Sequence, residues 1–413
     1  MQNFEINSNQ IDNIKKITTE EKDFRIKNLN FFKEAGFPNK RLEDWKFTDF
    51  RDIINKNFEK LDIKQVSKDI HKINLLKDFE HNYIFLVNGN LYSSNFNHED
   101  KSKVKINTYE QNSDYKISKN PLVCLNQALA ENGYSLEIEK NYKFKKVLVV
   151  YNYFTKTLKN KILNTRNKIQ VNENSEMHII DYIVNESKFI NNVYENIVLK
   201  KNSILKNLLI NNNKNDGFFY KFIKNRLLLN SECSNLIFSS GLKFNKIEIE
   251  SDLEEENSRC NILSALFLKE NEHHEIKTLV NHLAPNCKSN QIIKKVLTEE
   301  SKGVYQGKIF VKNIAQKTDA YQLSKALLIN DNAEFNSKPE LEIYADDVKC
   351  SHGSSSGNID KDSLYYLMTR GLNHNDSTKL LIKGFLNDVI ELIKSPTIKK
   401  FIEEKLDRQI NEH

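Results

Sequence analysis

The sequence has few of the residues that end helices and strands: 413 residues include 11 glycines, 5 prolines and one tryptophan. It also lacks a long apolar run. The longest, residues 147–151, is far too short to cross a bilayer. The first seven residues contain Glu5 and no apolar centre, so we expect no signal peptide. These absences predict a protein that does not enter a membrane.

The five cysteines are odd in number, widely spaced and include no CxxC pair. This pattern does not fit a secreted disulfide framework, so we expect a cytoplasmic protein with reduced thiols. The 62 basic and 56 acidic residues leave a formal net charge of only +6, which does not indicate a nucleic-acid partner. A hydrophobic fraction of 39% is enough for a large core.

Motifs for nucleotide chemistry are absent as well. The closest approach to a phosphate-binding loop is residues 303–309, which is one residue short and has no Ser or Thr after the lysine. We interpret it as a β-turn between strands. The sequence therefore predicts that this chain does not bind and hydrolyse a nucleotide by itself.

The N-terminal part of the chain mixes helices and strands. Apolar spacing predicts helices over residues 10–60, and a further helix over 121–132 lies between predicted strands at 83–87 and 135–139. We predict an N-terminal helical or mixed domain over residues 1–150.

A polar turn recurs about every 28 residues in the middle of the chain. It is centred on Asn174, Asn202, Asn230 and Asn257, each followed by serine, with weaker echoes at Glu300-Ser301 and Asn332-Ala333. A strand-length apolar run follows each turn. With so few glycines, this pattern favours a β-solenoid of two or three strands per coil over a propeller. An ordinary β-sandwich is the alternative. We assign this core to residues 151–350.

We predict a C-terminal helical domain over residues 351–413, in which the helices begin from Asp360. Asp360 can cap a helix over 361–370 that ends at Gly371, Asn375 or Asp376 can cap the next, and Pro396 begins a third. The second helix has one apolar face. That face either packs on the chain's own core or docks a partner. It contains Ile382, Phe385, Leu386, Val389, Ile390 and Ile393.

Two groups of soft ligands stand out. His273, His274, His282 and Cys287 have a spacing that fits no compact zinc module, so we expect hydrogen-bonded histidines at the surface or rim. We interpret Cys124, Cys233 and Cys260 as small buried hydrophobic residues. If the repeat is real, Cys233 and Cys260 occupy nearly equivalent positions on successive coils.

Cys350 and His352 are the stronger candidates for metal ligands. In extended chain they share one side with Val348, and together they supply half of a soft-metal site. One interpretation is that all three point into the core. The following glycine- and serine-rich residues 353–357 predict a loop, however, and therefore an exposed strand end. Two ligands are too few for a stable site, so a second chain would have to complete it.

Residues 346–353 (DDVKCSHG), preceded by 337–343 (SKPELEI), closely resemble the signature of the SufB/SufD family, scaffold subunits of the Suf iron–sulfur cluster assembly system. The resemblance covers most of the chain. The cysteine–serine–histidine arrangement and the chain length favour the SufD type over the SufB type. Further matching motifs lie at 38–48, 306–311, 315–320 and 363–371 and at Gly384-Phe385.

The resemblance implies a mainly β protein with helices: a right-handed parallel β-helix flanked by N-terminal and C-terminal helical regions. It implies a non-enzymatic scaffold that pairs with SufB, while a separate ATPase, SufC, binds the nucleotide. His352, with Cys350 beside it, is implicated in binding iron or a nascent iron–sulfur cluster at the SufB interface. The C-terminal helices would dock SufC through a set of apolar residues. These are Ile382, Phe385, Leu386 and Val389.

Other interpretations stay open. The chain could be a SufB-type paralogue or a homodimeric scaffold, which differ from the first interpretation in partner and not in chemistry. A polysaccharide-active β-helix enzyme would need paired carboxylates in a groove and a route to secretion. Asp346 and Asp347 are adjacent and point apart in extended chain, so the sequence disfavours this class.

Overall fold

The computed structural model describes residues 9–12, 14, 17–63, 74–109 and 118–411, and residues 1–8, where we expect no signal peptide, lie outside this part. Its core is a parallel β-solenoid of about eight coils, flanked by N-terminal and C-terminal helices. Each coil contributes one strand to each of two sheets. The fold class predicted from the repeat and the resemblance is therefore confirmed, and the β-sandwich alternative is wrong.

The described strands form the two parallel stacks of the solenoid, together with two further strands near its N-terminal end that pair antiparallel with a neighbour. In chain order they are β1 (Asp62–Ile63), β2 (Asn82–Val87), β3 (Asn90–Asn95), β4 (Val104–Thr108), β5 (Tyr134–Ile138), β6 (Leu148–Phe154), β7 (Lys161–Val171), β8 (Glu176–Asn185), β9 (Ile190–Leu199), β10 (Ile204–Leu227), β11 (Glu232–Leu253), β12 (Arg259–Leu268), β13 (His273–His282), β14 (Lys288–Leu297), β15 (Lys302–Val311), β16 (Thr318–Leu328), β17 (Glu334–Ile343) and β18 (Val348–Asn358).

Sheet I runs β2-β6-β8-β10-β11-β12-β14-β16-β18, and sheet II runs β5-β7-β9-β10-β11-β13-β15-β17. The long strands β10 and β11 belong to both sheets, one half to each. Successive side chains alternate between the interior and the outer face. The main hydrophobic core lies between the sheets, where Ile237, Ile262 and Ile293 are fully buried.

The repeated asparagines form one corner of the solenoid. Asn174, Asn202, Asn230 and Asn257 all have left-handed backbone angles, φ 55–60°, which asparagine tolerates better than most residues. Each side chain donates to the asparagine of the previous coil; Nδ2 of Asn202, for example, lies 2.8 Å from Oδ1 of Asn174. This ladder explains why the repeat is visible in the sequence.

The two weaker matches to the repeat do not lie at the asparagine corner, contrary to the prediction. Glu300-Ser301 and Asn332-Ala333 follow β14 and β16, so they lie where the chain passes from sheet I to sheet II. The asparagine corner, from sheet II to sheet I, instead continues through Asn286 and Lys317, with φ 60° and 58°. The later coils are longer and use other residues, which hides the period.

Four helices pack at the N-terminal end. They are α1 (Asn9–Asp12), α2 (Thr19–Ala35), α3 (Phe50–Asn57) and α4 (Pro121–Leu129), as predicted except that α4 ends before residue 132. Their apolar side chains cover the outer face of sheet II through Phe218, Tyr220 and Phe244.

The segment around Trp45 anchors this unit to sheet II. The Lys246 ammonium lies 3.9 Å from the centroid of the buried Trp45 ring and 2.6 Å from Oε1 of Glu275. The Thr48 hydroxyl donates to the same carboxylate at 2.7 Å. Burial raises the pKa of Glu275, but Lys246, His273 and Thr48 together lower it overall. The motif at 38–48 is therefore a structural anchor.

The C-terminal helices are α5 (Lys361–Thr369), α6 (His374–Ile390) and α7 (Pro396–Asn411). Asp360 caps α5 as predicted. The cap of α6 is Asn373, not Asn375 or Asp376, because the Asn373 side chain accepts the Asp376 N–H. Within the described ranges, no helix combines the length and apolar character needed to cross a bilayer.

Candidate functional site

Strand β18, which carries Cys350 and His352, is the last strand of sheet I. In the described part of the chain it pairs with β16 alone, and β17, the last strand of sheet II, pairs with β15 alone. The outer edges of both strands therefore present unpaired backbone groups. We call these two strands the open end of the solenoid.

Val348 and Cys350 share the inner face of β18. Both pack against a small apolar cluster that includes Ile309, Ala320 and Ala345, and Cys350 is half-buried. Burial raises the pKa of the Cys350 thiol, and nearby Asp319 adds to this. In this chain alone the sulfur is therefore a protonated thiol at neutral pH.

His352 follows on the same face but is exposed. Its register neighbour on β16 is Gln322. We predicted that residues 353–357 form a loop. That prediction is wrong, since β18 continues to Asn358. The expected exposure is nevertheless present, because no further coil covers this strand in the described structure.

Cys350 and His352 remain a pair of donors. Among the residues that the structure describes, no group of three or more His, Cys, Asp or Glu side chains is arranged to hold a metal ion. Two donors do not complete a site for zinc or iron. A metal bound here would need ligands from another molecule.

The second histidine group is not a metal site in the described structure. His274 and His282 are buried inside the solenoid, and Nε2 of His282 lies 2.9 Å from Oγ of Ser289. Burial lowers the pKa of His273, His274 and His282 to about 4, about 3 and about 4, respectively. The expectation of surface or rim positions is wrong for His274 and His282, because alternation along β13 turns both inwards.

Cys287 lies apart from these histidines at the asparagine corner, where its sulfur is 3.2 Å from the Ser258 hydroxyl. It occupies the place that serine takes in earlier coils. Cys233 and Cys260 are register neighbours, as the repeat predicted. The same interior column continues through Ser289 and Ala320 to Cys350. Sequence reasoning missed this continuation because the coils lengthen.

Residues 303–309, interpreted as a β-turn, lie within β15. Gly303 and Gly307 face the crowded interior, where a Cβ on Gly307 would lie 1.9 Å from Nε2 of Gln322. These glycines therefore make space for neighbouring side chains. A regular strand also lacks the loop and helix that a phosphate-binding motif requires.

The C-terminal helices bury most of the residues that we predicted to contact a partner. Ile382, Leu386 and Val389 are at most 1% exposed and pack against the chain's own sheet I. They belong to the core because α6 lies directly on the apolar outer face of that sheet. Phe385 is partly buried, with the Lys294 ammonium 4.7 Å from its ring centroid.

Helix α5 has the opposite character. It contains no buried residue, and Tyr365, Tyr366 and Met368 are 70%, 56% and 42% exposed. Large apolar side chains grouped on one short helix are typical of a contact surface. We call this group the α5 surface.

Comparison with known proteins identifies the family. The model of the SufBD core domain of the SUF system for FeS cluster assembly matches residues 153–385, and that of the SufBD protein N-terminal region matches residues 2–150. The chain belongs to the SufB/SufD family. It therefore has a role in iron–sulfur cluster assembly, as the resemblance predicted.

Individual relatives support this family assignment. The Escherichia coli iron–sulfur cluster assembly protein SufD is 26% identical over 91% of this chain and 90% of its own length. A SufBD family protein from Synechocystis is 28% identical over 50% of this chain and 46% of the relative. The Plasmodium berghei SufD is 21% identical over 76% of this chain and 23% of the relative. The two relatives that are named SufD are similar to this chain over most of its length.

Proposed function

We propose that this chain is a non-enzymatic, SufD-type scaffold subunit in the cytoplasm. It pairs through its open end with a SufB-type subunit, and His352, with Cys350 nearby, helps to receive iron or a nascent iron–sulfur cluster between the two. The iron or cluster is the cargo of the assembly. A SufC-type ATPase, which binds the nucleotide, docks on the C-terminal helices.

One observation carries this proposal: an exposed imidazole, with no hydrogen-bond partner among the described residues, lies on an uncovered strand. His352 lies beside the half-buried thiol of Cys350 at the end of the stack. Unpaired strand edges are templates for pairing with another chain. A strand or loop of a SufB-type partner placed on this edge would bring its own ligands close to His352.

The protonated state of Cys350 has a consequence for this chemistry. Burial raises its pKa, whereas a metal ligand must be a thiolate. Iron bound at this position would displace the thiol proton. His352 needs no such step when it is neutral, so it is the better first ligand, and Cys350 is the second.

The α5 surface supports the docking of the ATPase. Its exposed Tyr365 and Tyr366 follow β18 closely in the chain, while the apolar face of α6 is already buried. Movement of a bound ATPase would therefore act next to the strand that carries His352. In this proposal, nucleotide-driven motion rearranges the interface between the two scaffold subunits.

The decisive experiment is cluster assembly on a reconstituted complex of this chain with SufB-type and SufC-type subunits. We expect His352→Ala to lower the iron and sulfide content by about tenfold, as expected for loss of a ligand. Lys349→Ala, an exposed change at the other side of the same strand, is the matched control. Undiminished cluster yield in His352→Ala would show that the role given to His352 is wrong.

The open end also favours a second occupant, namely another copy of this chain. A homodimer of the isolated chain would use the same edges. Native mass measurement of the chain alone and after addition of the SufB-type subunit separates the two arrangements. A homodimer that persists with excess SufB-type subunit would contradict the heterodimer and favour the homodimeric scaffold.

A further inference from the structure

A row of polar side chains extends from His352 into the interior of the solenoid. Gln322 is the register neighbour of His352 on β16, and Gln291 on β14 is the register neighbour of Gln322. Both glutamines are fully buried. The Tyr305 hydroxyl, from the opposite sheet, donates to Oε1 of Gln291 at 3.2 Å and lies 3.2 Å from the Thr278 hydroxyl.

The backbone is shaped to admit Gln322 into this row. A Cβ on Gly307 would lie 1.9 Å from Nε2 of Gln322 and 2.3 Å from the Tyr305 hydroxyl. Any other residue at position 307 would push one of these groups away. The Gln322 side chain therefore occupies a space that exists because residue 307 is glycine.

Neither amide atom of Gln322, Oε1 or Nε2, has a hydrogen-bond partner among the described residues, although the side chain is fully buried. Nε2 lies on the side of Gly307 and the Tyr305 hydroxyl, so Oε1 is the atom for which His352 can supply a donor. A buried acceptor without a donor is unfavourable, and such groups are rare unless a functional state supplies the donor. His352 is the one register neighbour of Gln322 on the open side, and its imidazole makes no hydrogen bond in the described structure. A neutral imidazole has one N–H to donate.

We propose that Gln322 is a positioning residue for His352. When the exposed His352 ring turns towards β16, the Gln322 amide oxygen accepts the N–H of one ring nitrogen and leaves the lone pair of the other nitrogen pointing out of the open end. Metal-binding histidines commonly donate their second ring nitrogen in this way, which fixes the tautomer and the ring orientation. The role of this hydrogen bond in metal binding rests on the proposed function, whereas the hydrogen bond itself does not.

The hydrogen bond can be tested on the free full-length chain. Nitrogen-15 spectra of histidine-labelled protein at pH 8 report which ring nitrogen carries the proton, and His352→Ala identifies the His352 signals. We expect a single His352 tautomer in the unsubstituted chain. Gln322→Leu should give a mixture of tautomers, whereas Gln322→Glu, which keeps an acceptor oxygen, should retain the single form.

Ser324→Ala is the matched control. Ser324 lies on the same face of β16, is equally buried and has an unpartnered hydroxyl, but its register neighbour is Ser354. This variant should leave the His352 tautomer unchanged. A mixture in the unsubstituted chain, or the same single tautomer in Gln322→Leu, would overturn the hydrogen bond.

The effect of Gln322 on iron incorporation is tested in the reconstituted complex. Gln322→Leu should lower iron incorporation by about tenfold, with Gln322→Glu and Ser324→Ala close to the unsubstituted chain. If His352→Ala lowers incorporation and Gln322→Leu does not, the positioning role is overturned. If His352→Ala has no effect, the proposed function fails, and the tautomer spectra still decide whether Gln322 holds His352.

Discussion

Glu272 is an example of a single acidic side chain that is buried in the solenoid. One carboxylate oxygen accepts the Gly241 N–H at 3.0 Å. The other has no hydrogen-bond partner among the described residues and lies 3.9 Å from Nε2 of His274. Burial raises the pKa of Glu272 to about 8, although the Gly241 bond opposes the increase. The side chain is therefore largely protonated at pH 7.

This predicts a pH dependence of stability. The folded pKa is above the ordinary value of 4.5, so the contribution of Glu272 is complete below about pH 4.5 and is lost as the pH rises towards 8. Glu272→Gln, which stays neutral, should be more stable than the unsubstituted chain by on the order of 4 kcal/mol at pH 8 and about equal at pH 4.5. Urea unfolding across this range measures the difference; equal pH profiles would contradict it.

Sequence alternation placed Val348, Cys350 and His352 on one face, and the structure agrees. The partners of these residues could not be predicted in the same way. Gln322 is 30 positions away from His352, and only the lengths of the intervening coils decide that the two are neighbours.

At the scale of elements, the helices were the most predictable part. Asp360, Gly371 and Pro396 mark ends of α5 and α7 because caps act locally. The choice between core and docking surface for the apolar face of α6 needed the structure. Periodicity shows that a face is apolar and does not show what covers it.

The two kinds of helix surface should respond differently to substitution. Leu386→Ala removes a fully buried side chain and should lower the free energy of unfolding by roughly 2–4 kcal/mol. Tyr365→Ala, on the exposed α5 surface, should change stability by less than about 0.5 kcal/mol.

Calorimetry or urea unfolding measures the first effect. The proposed docking adds a second readout, since Tyr365→Ala should weaken binding of the SufC-type ATPase about tenfold or more. Unchanged ATPase affinity in both Tyr365→Ala and Tyr366→Ala would remove the α5 surface from the proposed interface.

At the scale of the whole molecule, the repeat predicted the solenoid because corner asparagines stack in every early coil. The true continuation through Asn286 and Lys317 was hidden by longer coils and a change of residue type. The open end was beyond sequence reasoning as well. Whether a last strand is covered depends on where the following helices pack, and here they pack on the side of the stack.

Hydrogen exchange should reflect this uneven covering. Peptides from β17 and β18 should exchange faster than those from β12 and β13, which are paired on both sides. Addition of the SufB-type subunit should protect β17 and β18, whereas the SufC-type subunit alone should not. Equal protection of the terminal and central strands in the isolated chain would contradict an open end.

The connection between β18 and α5 has a mechanical consequence. Only Ile359 and Asp360 separate the strand from the helix, and α5 has no buried residue to hold it in place. In contrast, α6 and α7 are anchored along sheet I. A tensile force applied to α5 is therefore carried first by the single row of backbone hydrogen bonds between β18 and β16. Such a force would therefore act first on the strand that carries His352.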